Sequence, residues 1–338
     1  MKKTISLLLC AALGLTLISC GRLGAQQKYS DTAFDLFDTV ITVTAYDESR
    51  EAFDGHFAEF IALLEEYDKD FDIYNSYDGL NNLKTVNDNA GVAPVEVDAK
   101  IIALLSEGKA VYEKSGGRVN IMMGSVLALW HNCREKNANE LPSSDALSAA
   151  AEHTSIDLLE LTETTAYITD SEASLDVGAL AKGYAAEKAC KYAEEHIWQS
   201  AVISIGGNVV AYGVGNGEGW NIAIENPQED ADGYLHVLGI TNKAIVTSAD
   251  TQRYYYVDGK KYCHIINPET LFPAEFMHSV TVLAESSAQA DALSTMLFNM
   301  SIEEGKAYVE TLDGVEAVFV DLDYNEVFTS GFEAFIKQ

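Results

Sequence analysis

The sequence predicts an α+β fold. Three observations carry that reading. Strand-like and helix-like segments are mixed without regular β-α-β alternation, strand signals crowd residues 201–266, and the helical stretches end on recognisable stop or cap residues. In chain order, Phe34 to Ala45 alternates and is rich in Thr and Val, as a strand is. Ala52 to Phe71 has helical spacing with acidic residues outward. Tyr74 to Asn89 is polar and turn-rich. Ala99 to Lys114 is a second amphipathic helix, stopped by Ser115-Gly116-Gly117. Asn120 to Trp130 is apolar, residues 131–150 read as a polar excursion, and Leu158 to Leu175 reads as short strands. A helix is expected from Asp176 to about His196. Strands then follow at 201–205, 209–213, 220–224, 235–240 and 243–247. Arg253 to Ile266 reads as a hairpin turning at Asp258-Gly259, a preferred dipeptide for a tight primed turn. Ser287 to Met300 is a helix capped at Ser286 or Ser287, and a strand at 315–320 with a short hairpin closes the chain.

The two ends of the composition bound what the chain does. Lys2 and Lys3 precede an apolar run from Ile5 to Ile18, shorter than the roughly 20 residues of a comfortable membrane span. The run reads as a secretory signal, and Leu17-Ile18-Ser19-Cys20 resembles a bacterial lipobox, with cleavage before Cys20 and lipid on its thiol. Residues 1–19 are therefore expected to be a lipoprotein signal peptide, 20–32 a lipid-anchored tether, and 33–338 the folded unit. That arrangement implies a bacterial cell envelope location, facing outside the cytoplasm. Acidic residues outnumber basic ones 52 to 22, a net charge of −30. Such a surface excludes nucleic acid and repels anionic headgroups, so the lipid has to do the anchoring. Past Cys20 only Cys133, Cys190 and Cys263 remain, without metal-type spacing or a disulfide framework.

Four segments carry chemistry. Asp176-Val177-Gly178-Ala179-Leu180-Ala181-Lys182-Gly183 combines a cap residue, a glycine that admits close backbone approach, and a lysine, the elements of a phosphate site at a helix start. Alone it reads equally as a capped helix packed on a sheet. Ser204-Ile205-Gly206-Gly207-Asn208 is a buried strand ending in a Gly-rich turn, either a ligand site or a plain turn. In the stretch from Ala288 to Thr295, Asp291 and Thr295 share a helix face with Ser294 beside them. That hard-oxygen set suits Mg²⁺ better than Zn²⁺, although a solvated helix face explains it as well. His264, in Tyr262-Cys263-His264-Ile265-Ile266-Asn267-Pro268, stands late in the hairpin, where a histidine serves either structure or general-base chemistry.

In this order and spacing the four segments resemble the ApbE family of flavin transferases, FAD:protein FMN transferases. The resemblance runs from about residue 33 to the end. Phe37-Asp38-Thr39 is similar to the family's Met-Gly-Thr segment, Phe71-Asp72-Ile73-Tyr74-Asn75 to its Phe-Ser-x-Tyr-Asn segment, and Gly117-Arg118-Val119-Asn120 with Leu129-Trp130 to its Gly-x-Phe-Asp…Leu-x-x-x-Trp region. Thr247-Ser248-Ala249 stands where the family has Thr-Ser-Gly. Leu271, Asp38 and Ala249 replace family glycines and Asn120 replaces an aspartate, which leaves substrate choice less defined than reaction type.

The resemblance implies a single large domain of mixed, mainly antiparallel sheets with packed helices. It implies FAD as substrate, contacted by Phe37, Tyr74, Arg118, Val119, Asn120, Asp176 and Lys182. It implies Mg²⁺ on the Ala179 carbonyl, Asp291 and Thr295, with Ser294 as a further ligand, and catalysis by His264 as base with Lys182 offsetting charge. The implied reaction moves FMN from FAD to a Thr or Ser hydroxyl of an acceptor flavoprotein through a phosphoester bond and releases AMP. The acceptor is either a membrane redox-pump subunit or an extracellular flavoprotein. An Mg²⁺-dependent FAD pyrophosphatase giving FMN and AMP, and a non-catalytic flavin-binding lipoprotein, are the alternatives. Tyr74 favours transfer over hydrolysis, and the intact Asp291, Thr295 and His264 favour turnover over binding alone.

Overall fold

A computed structural model describes residues 26–136, 139–215, 217, 219–228 and 233–337. The expected signal peptide and the anchor at Cys20 lie outside the described residues. Among those described, no helix is long and apolar enough to cross a membrane.

The chain opens with a hairpin of β1 (Gln27–Leu36) and β2 (Thr39–Asp47), followed by the long helix α1 (Arg50–Phe71). Helix α2 (Leu83–Asp88), β3 (Val95–Glu96), α3 (Ala99–Lys114), α4 (Gly124–Glu135) and α5 (Ser144–Ala151) come next, then β4 (Leu159–Leu161) and β5 (Thr165–Ile168). Helix α6 (Ala181–His196) leads to β6 (Ala201–Ile205) and β7 (Asn208–Tyr212). Then come β8 (Trp220–Glu225), β9 (Tyr234–Ile240), β10 (Lys243–Ala249), β11 (Tyr255–Val257) and β12 (Lys260–Tyr262). The chain closes through β13 (Ser279–Ala284), α7 (Ser287–Phe298), α8 (Ile302–Val309), β14 (Glu316–Val320) and β15 (Glu326–Phe328).

Eight strands form one sheet in the order β1-β2-β6-β7-β10-β13-β14-β15, and each neighbouring pair is antiparallel. Side chains alternate between its two faces, as the pleat requires. On β10, Val246 joins the large core with α7, whereas Ile245 faces the opposite cluster built by Ile222, Leu238 and Phe332. Central strand β13 is covered on both faces, so all six of its residues are buried. Helices α1 and α6 cover the β2–β6 end, where Trp198 packs on Phe53 and Phe60. The buried Asp47 carboxylate accepts the Trp198 indole N–H at 3.0 Å. These features make the fold α+β, as the mixed order of elements predicts.

Several expectations need correction. Strand β1 begins at Gln27, inside the stretch expected as tether. Its polar residues read as linker, yet the backbone pairs with β2 from Gln27 opposite Asp47 onwards. The excursion at 131–150 holds the end of α4 and most of α5, the latter capped by Ser143. Helix α6 begins at Ala181 rather than at Asp176. The Asp176 carboxylate accepts the Gly178 N–H at 2.9 Å, which closes a turn before the helix instead of capping it. His264 lies just beyond the end of β12 rather than within the strand.

Candidate active site

The segment 176–183 meets helix α7 through a glycine. A Cβ on Gly183 would stand 2.3 Å from the Asp291 Cβ and 2.7 Å from the Ser287 carbonyl oxygen, so only glycine lets α6 and α7 approach this closely. The approach brings the Gly183 N–H to the Asp291 carboxylate at 2.7 Å. In a regular helix that N–H would bond to the carbonyl four residues back, at Ala179. Diverted to Asp291, it leaves the Ala179 carbonyl without a backbone donor among the described residues. Burial pushes the Asp291 carboxyl up; Lys182, the Gly183 N–H and the Asn208 amide oppose that shift. Asn208 is itself buried and its amide lies near enough to act on that carboxylate, but its Nδ2 makes no hydrogen bond of normal geometry among the described residues.

Thr295 lies one turn beyond Asp291 and is half-buried, and its hydroxyl pairs with no group among the described residues. The Ser294 hydroxyl is fully buried, donates to the Asp291 carbonyl at 2.9 Å and accepts from Ser248 at 2.8 Å. No group of three His, Cys, Asp or Glu residues that could hold a metal occurs among the described residues. What the turn and α7 offer is one carbonyl, one carboxylate and one hydroxyl, all hard oxygens. That set is too sparse to enclose an ion by itself. It fits a Mg²⁺ that keeps some water and shares a phosphate with its substrate.

His264 is fixed from one side. Its Nδ1 donates to the Gln252 carbonyl at 3.0 Å, which leaves Nε2 as the lone-pair nitrogen. Burial, then the positive charges of Lys182, Arg253 and Arg134, lower its pKa to about 4. The imidazole is therefore neutral at neutral pH. Asp176 shares these neighbours: burial raises its carboxyl, while the Gly178 N–H, His131, Lys182 and Arg253 oppose the rise. Lys182 in turn reaches back to the Gly178 carbonyl at 3.3 Å. Asp176, Lys182, His264 and Asp291, separated by up to 115 residues in sequence (291 − 176), thus share one electrostatic neighbourhood.

Two aromatic residues flank it. Tyr74 is 61% exposed and packs on His131 with ring centroids 5.5 Å apart. Asp72 holds the Tyr74 loop by accepting the backbone N–H groups of Tyr74 and Asn75 and the Tyr77 hydroxyl. Burial alone would raise the Asp72 carboxyl, but the bonds from Asn75, Tyr74 and Tyr77 outweigh it and keep it below the usual range. Phe37 sits with Asp38 in the two-residue turn between β1 and β2, both at φ 52°, the backbone of a primed hairpin turn. A phenylalanine there is strained. The Phe37 N–H bonds to Asp68 of α1 at 2.8 Å, and Arg253 donates to the Asp38 carbonyl and carboxylate at 3.1 and 3.0 Å.

Arg118, Val119 and Asn120 have other partners. Arg118 pairs with Glu304 of α8 at 2.8 Å, the Val119 side chain is in the core, and the Asn120 amide donates to the Thr154 carbonyl at 2.8 Å. None of the three is among the groups whose charge acts on Asp176, His264 or Asp291. The residue after them meets the site through its backbone: the Asp176 N–H bonds to the Ile121 carbonyl at 2.8 Å. Sequence reasoning missed Arg253, Arg134, His131 and the roles of Gly183 and Asn208. Gly183, closing the Asp176–Gly183 segment, and Asn208, ending the Gly-Gly-Asn turn, stood in segments already singled out, but neither had been given a role.

The strand order, the Gly183 contact and the single bonded histidine after the hairpin define a specific scaffold, and comparison with known proteins agrees with it. The ApbE family model matches residues 37–319. The chain belongs to the ApbE family. It is 30% identical to the FAD:protein FMN transferase of Treponema pallidum over 94% of this chain and 90% of that one. It is 27% identical to the protein of the same name from Haemophilus influenzae, over 100% and 98% of the two chains. Among solved structures, the ApbE protein of Thermotoga maritima superposes with a TM-score of 0.82 at 25% identity, covering 92% of this chain and 100% of that one. The flavin transferase ApbE of Vibrio cholerae gives 0.79 at 24% identity, over 92% and 99%, a likeness of fold.

Proposed function

We propose that this ApbE-family chain is an FAD:protein FMN transferase that depends on Mg²⁺ and releases AMP. The observation that carries the reading is the convergence of a neutral His264, Lys182 and Asp291 on the turn whose Ala179 carbonyl is unpaired. The names of its relatives support the reaction class.

The chain's own groups divide the work. His264 Nε2 takes the proton from a Thr or Ser hydroxyl of the acceptor as that oxygen bonds to the FMN-side phosphorus. The bond from that phosphorus to the AMP-side oxygen breaks, and AMP leaves. Lys182 offsets the negative charge that develops on the phosphoryl oxygens. Phe37 and Tyr74 offer aromatic faces to the flavin, and Asp176 and the backbone of residues 118–120 border the cofactor. The Ala179 carbonyl, Asp291 and Thr295 would hold Mg²⁺, with Ser294 adjoining. A bound Mg²⁺ supplies charge neutralisation on the pyrophosphate and orients in-line attack.

A lipid on Cys20 would hold the domain at the outer surface of a bacterial membrane, beside acceptors such as a redox-pump subunit or an extracellular flavoprotein. The test is incubation of the protein with FAD, Mg²⁺ and an acceptor bearing a Ser/Thr-Gly-Ala-Ser/Thr site. Covalent FMN on the acceptor with stoichiometric AMP supports transfer. FMN and AMP without labelling replaces transfer by hydrolysis, and unchanged FAD reduces the protein to a binder.

A further inference from the structure

We propose that Arg253 is a phosphate-binding residue of this site, and that its bond to Asp38 is a resting contact which a pyrophosphate oxygen of FAD replaces. The inference deepens the transferase reading and rests on it. Three observations carry it. First, Arg253 follows Gln252, whose carbonyl holds His264, so one loop places the base and the guanidinium side by side. The Arg253 backbone sits at φ 48°, a left-handed conformation that costs a non-glycine residue energy, so its surroundings hold it there.

Second, the guanidinium is under-used. Both bonds to Asp38 leave from one nitrogen, Nη2, and its remaining N–H groups have no partner among the described residues. Its partner carboxylate is 92% exposed. Ion pairs between exposed groups are weak, whereas a guanidinium fork binds phosphate oxygens in pairs and with charge assistance.

Third, the charge balance favours it. Asp176 and Asp291 are two carboxylates beside a site meant for a pyrophosphate with two negative charges of its own. In a chain of net charge −30 these negative charges repel one another, and every nearby cation, Lys182, Arg134 and a bound Mg²⁺ included, helps to offset them. Arg253 is the other fixed cation whose charge reaches both Asp176 and His264.

The experiment compares wild type, Arg253→Gln, Arg253→Lys and Asp38→Asn for binding of FAD and of riboflavin, which lacks phosphate, and for FMN transfer. Arg253→Gln is expected to weaken FAD binding roughly 10- to 100-fold, the loss of a charge-assisted hydrogen bond. Riboflavin binding should be unchanged. Arg253→Lys should recover part of the loss. Asp38→Asn removes the charge that holds the guanidinium, leaving only neutral acceptors, and should tighten FAD binding a few-fold. Wild-type FAD binding by Arg253→Gln overturns the proposal. So does a parallel loss of FAD and riboflavin binding in both Arg253→Gln and Asp38→Asn, which would make Arg253 a tie for the hairpin turn. A wild type that binds FAD but transfers nothing sinks the transferase reading alone, since the binding comparison still stands. A wild type that binds no FAD sinks both.

Discussion

At the scale of single residues, His264 and Gly183 have the most exposed consequences. His264 is neutral at neutral pH because burial and the nearby Lys182, Arg253 and Arg134 disfavour its protonated form. Its folded pKa, about 4, lies below the unfolded value of 6.5. The base function proposed for it would therefore be present at neutral pH and lost only as pH falls through about 4. Any stability linked to the group has the same sign, present above pH 6.5 and eroding as pH drops towards 4. The pH profile of kcat/KM, which reports the free enzyme, should show its acid limb near pH 4, and a limb at 6.5 would contradict the assignment. His264→Gln should lower the rate roughly 10²- to 10⁴-fold with the fold unchanged by circular dichroism. Gly183→Ala places a methyl against Asp291 and should destabilise by about 1–3 kcal/mol in urea unfolding. It should also weaken Mg²⁺ dependence more than FAD binding, because the carboxylate is what moves. Leu271 and Asp38, which stand where the family has glycines, occupy left-handed backbone at φ 62° and 52°. These positions have a backbone that favours glycine, and this chain tolerates the strain by bonding: Arg253 to Asp38, and the Trp130 indole to the Leu271 carbonyl at 2.9 Å.

At the scale of elements, α6 and α7 meet at the candidate site because the first turn of α6 bonds to Asp291 and α7 is capped at its start. Ser286 caps α7, accepting the Gln289 N–H at 3.0 Å, and its hydroxyl donates to Glu187 of α6. The cap therefore also joins the two helices. Ser286→Ala should lower the urea midpoint by an amount equivalent to about 1 kcal/mol, with an unchanged m-value. If stability holds, the cap is not an anchor. Helix propensity alone would start α6 earlier. The start moves to Ala181 because Asp176 spends its carboxylate on Gly178, which leaves a turn in which a carbonyl can stay unpaired. Hairpin β11–β12 turns at Asp258-Gly259 with φ 50° and 82°, as the dipeptide predicts, and delivers the chain to His264.

At the scale of the molecule, apolar side chains fill the cores on either face of the eight-stranded sheet, whereas the proposed site gathers charged and polar groups. FAD and Mg²⁺ together should therefore raise the melting temperature more than either alone. Ligand at 100 times its Kd contributes about 2.7 kcal/mol. Asp291→Ala should abolish the Mg²⁺-dependent part of the shift and the transfer activity. A chelator should stop transfer without changing the far-ultraviolet spectrum. Persistence of full activity in Asp291→Ala with Mg²⁺ would remove Asp291 from the ion site.

The α+β class, most strands, the Asp258-Gly259 hairpin and the Ser286 cap were legible in the chain because each depends on local spacing and turn chemistry. The four chemical segments were legible as motifs, and their resemblance to a family assigned them roles. Tertiary structure alone decided which atoms meet. Gly183 matters because of a helix 108 residues away, and the Ala179 carbonyl is free because that helix takes its donor. Arg253 joins the site because an irregular loop after β10 turns it towards the β1–β2 hairpin. Polar β1 joins the sheet because backbone pairing, unlike side-chain pattern, leaves no mark in composition. Local sequence specifies the elements through short-range sterics and hydrogen bonding. The site depends on contacts between elements distant in sequence, and only packing brings those together.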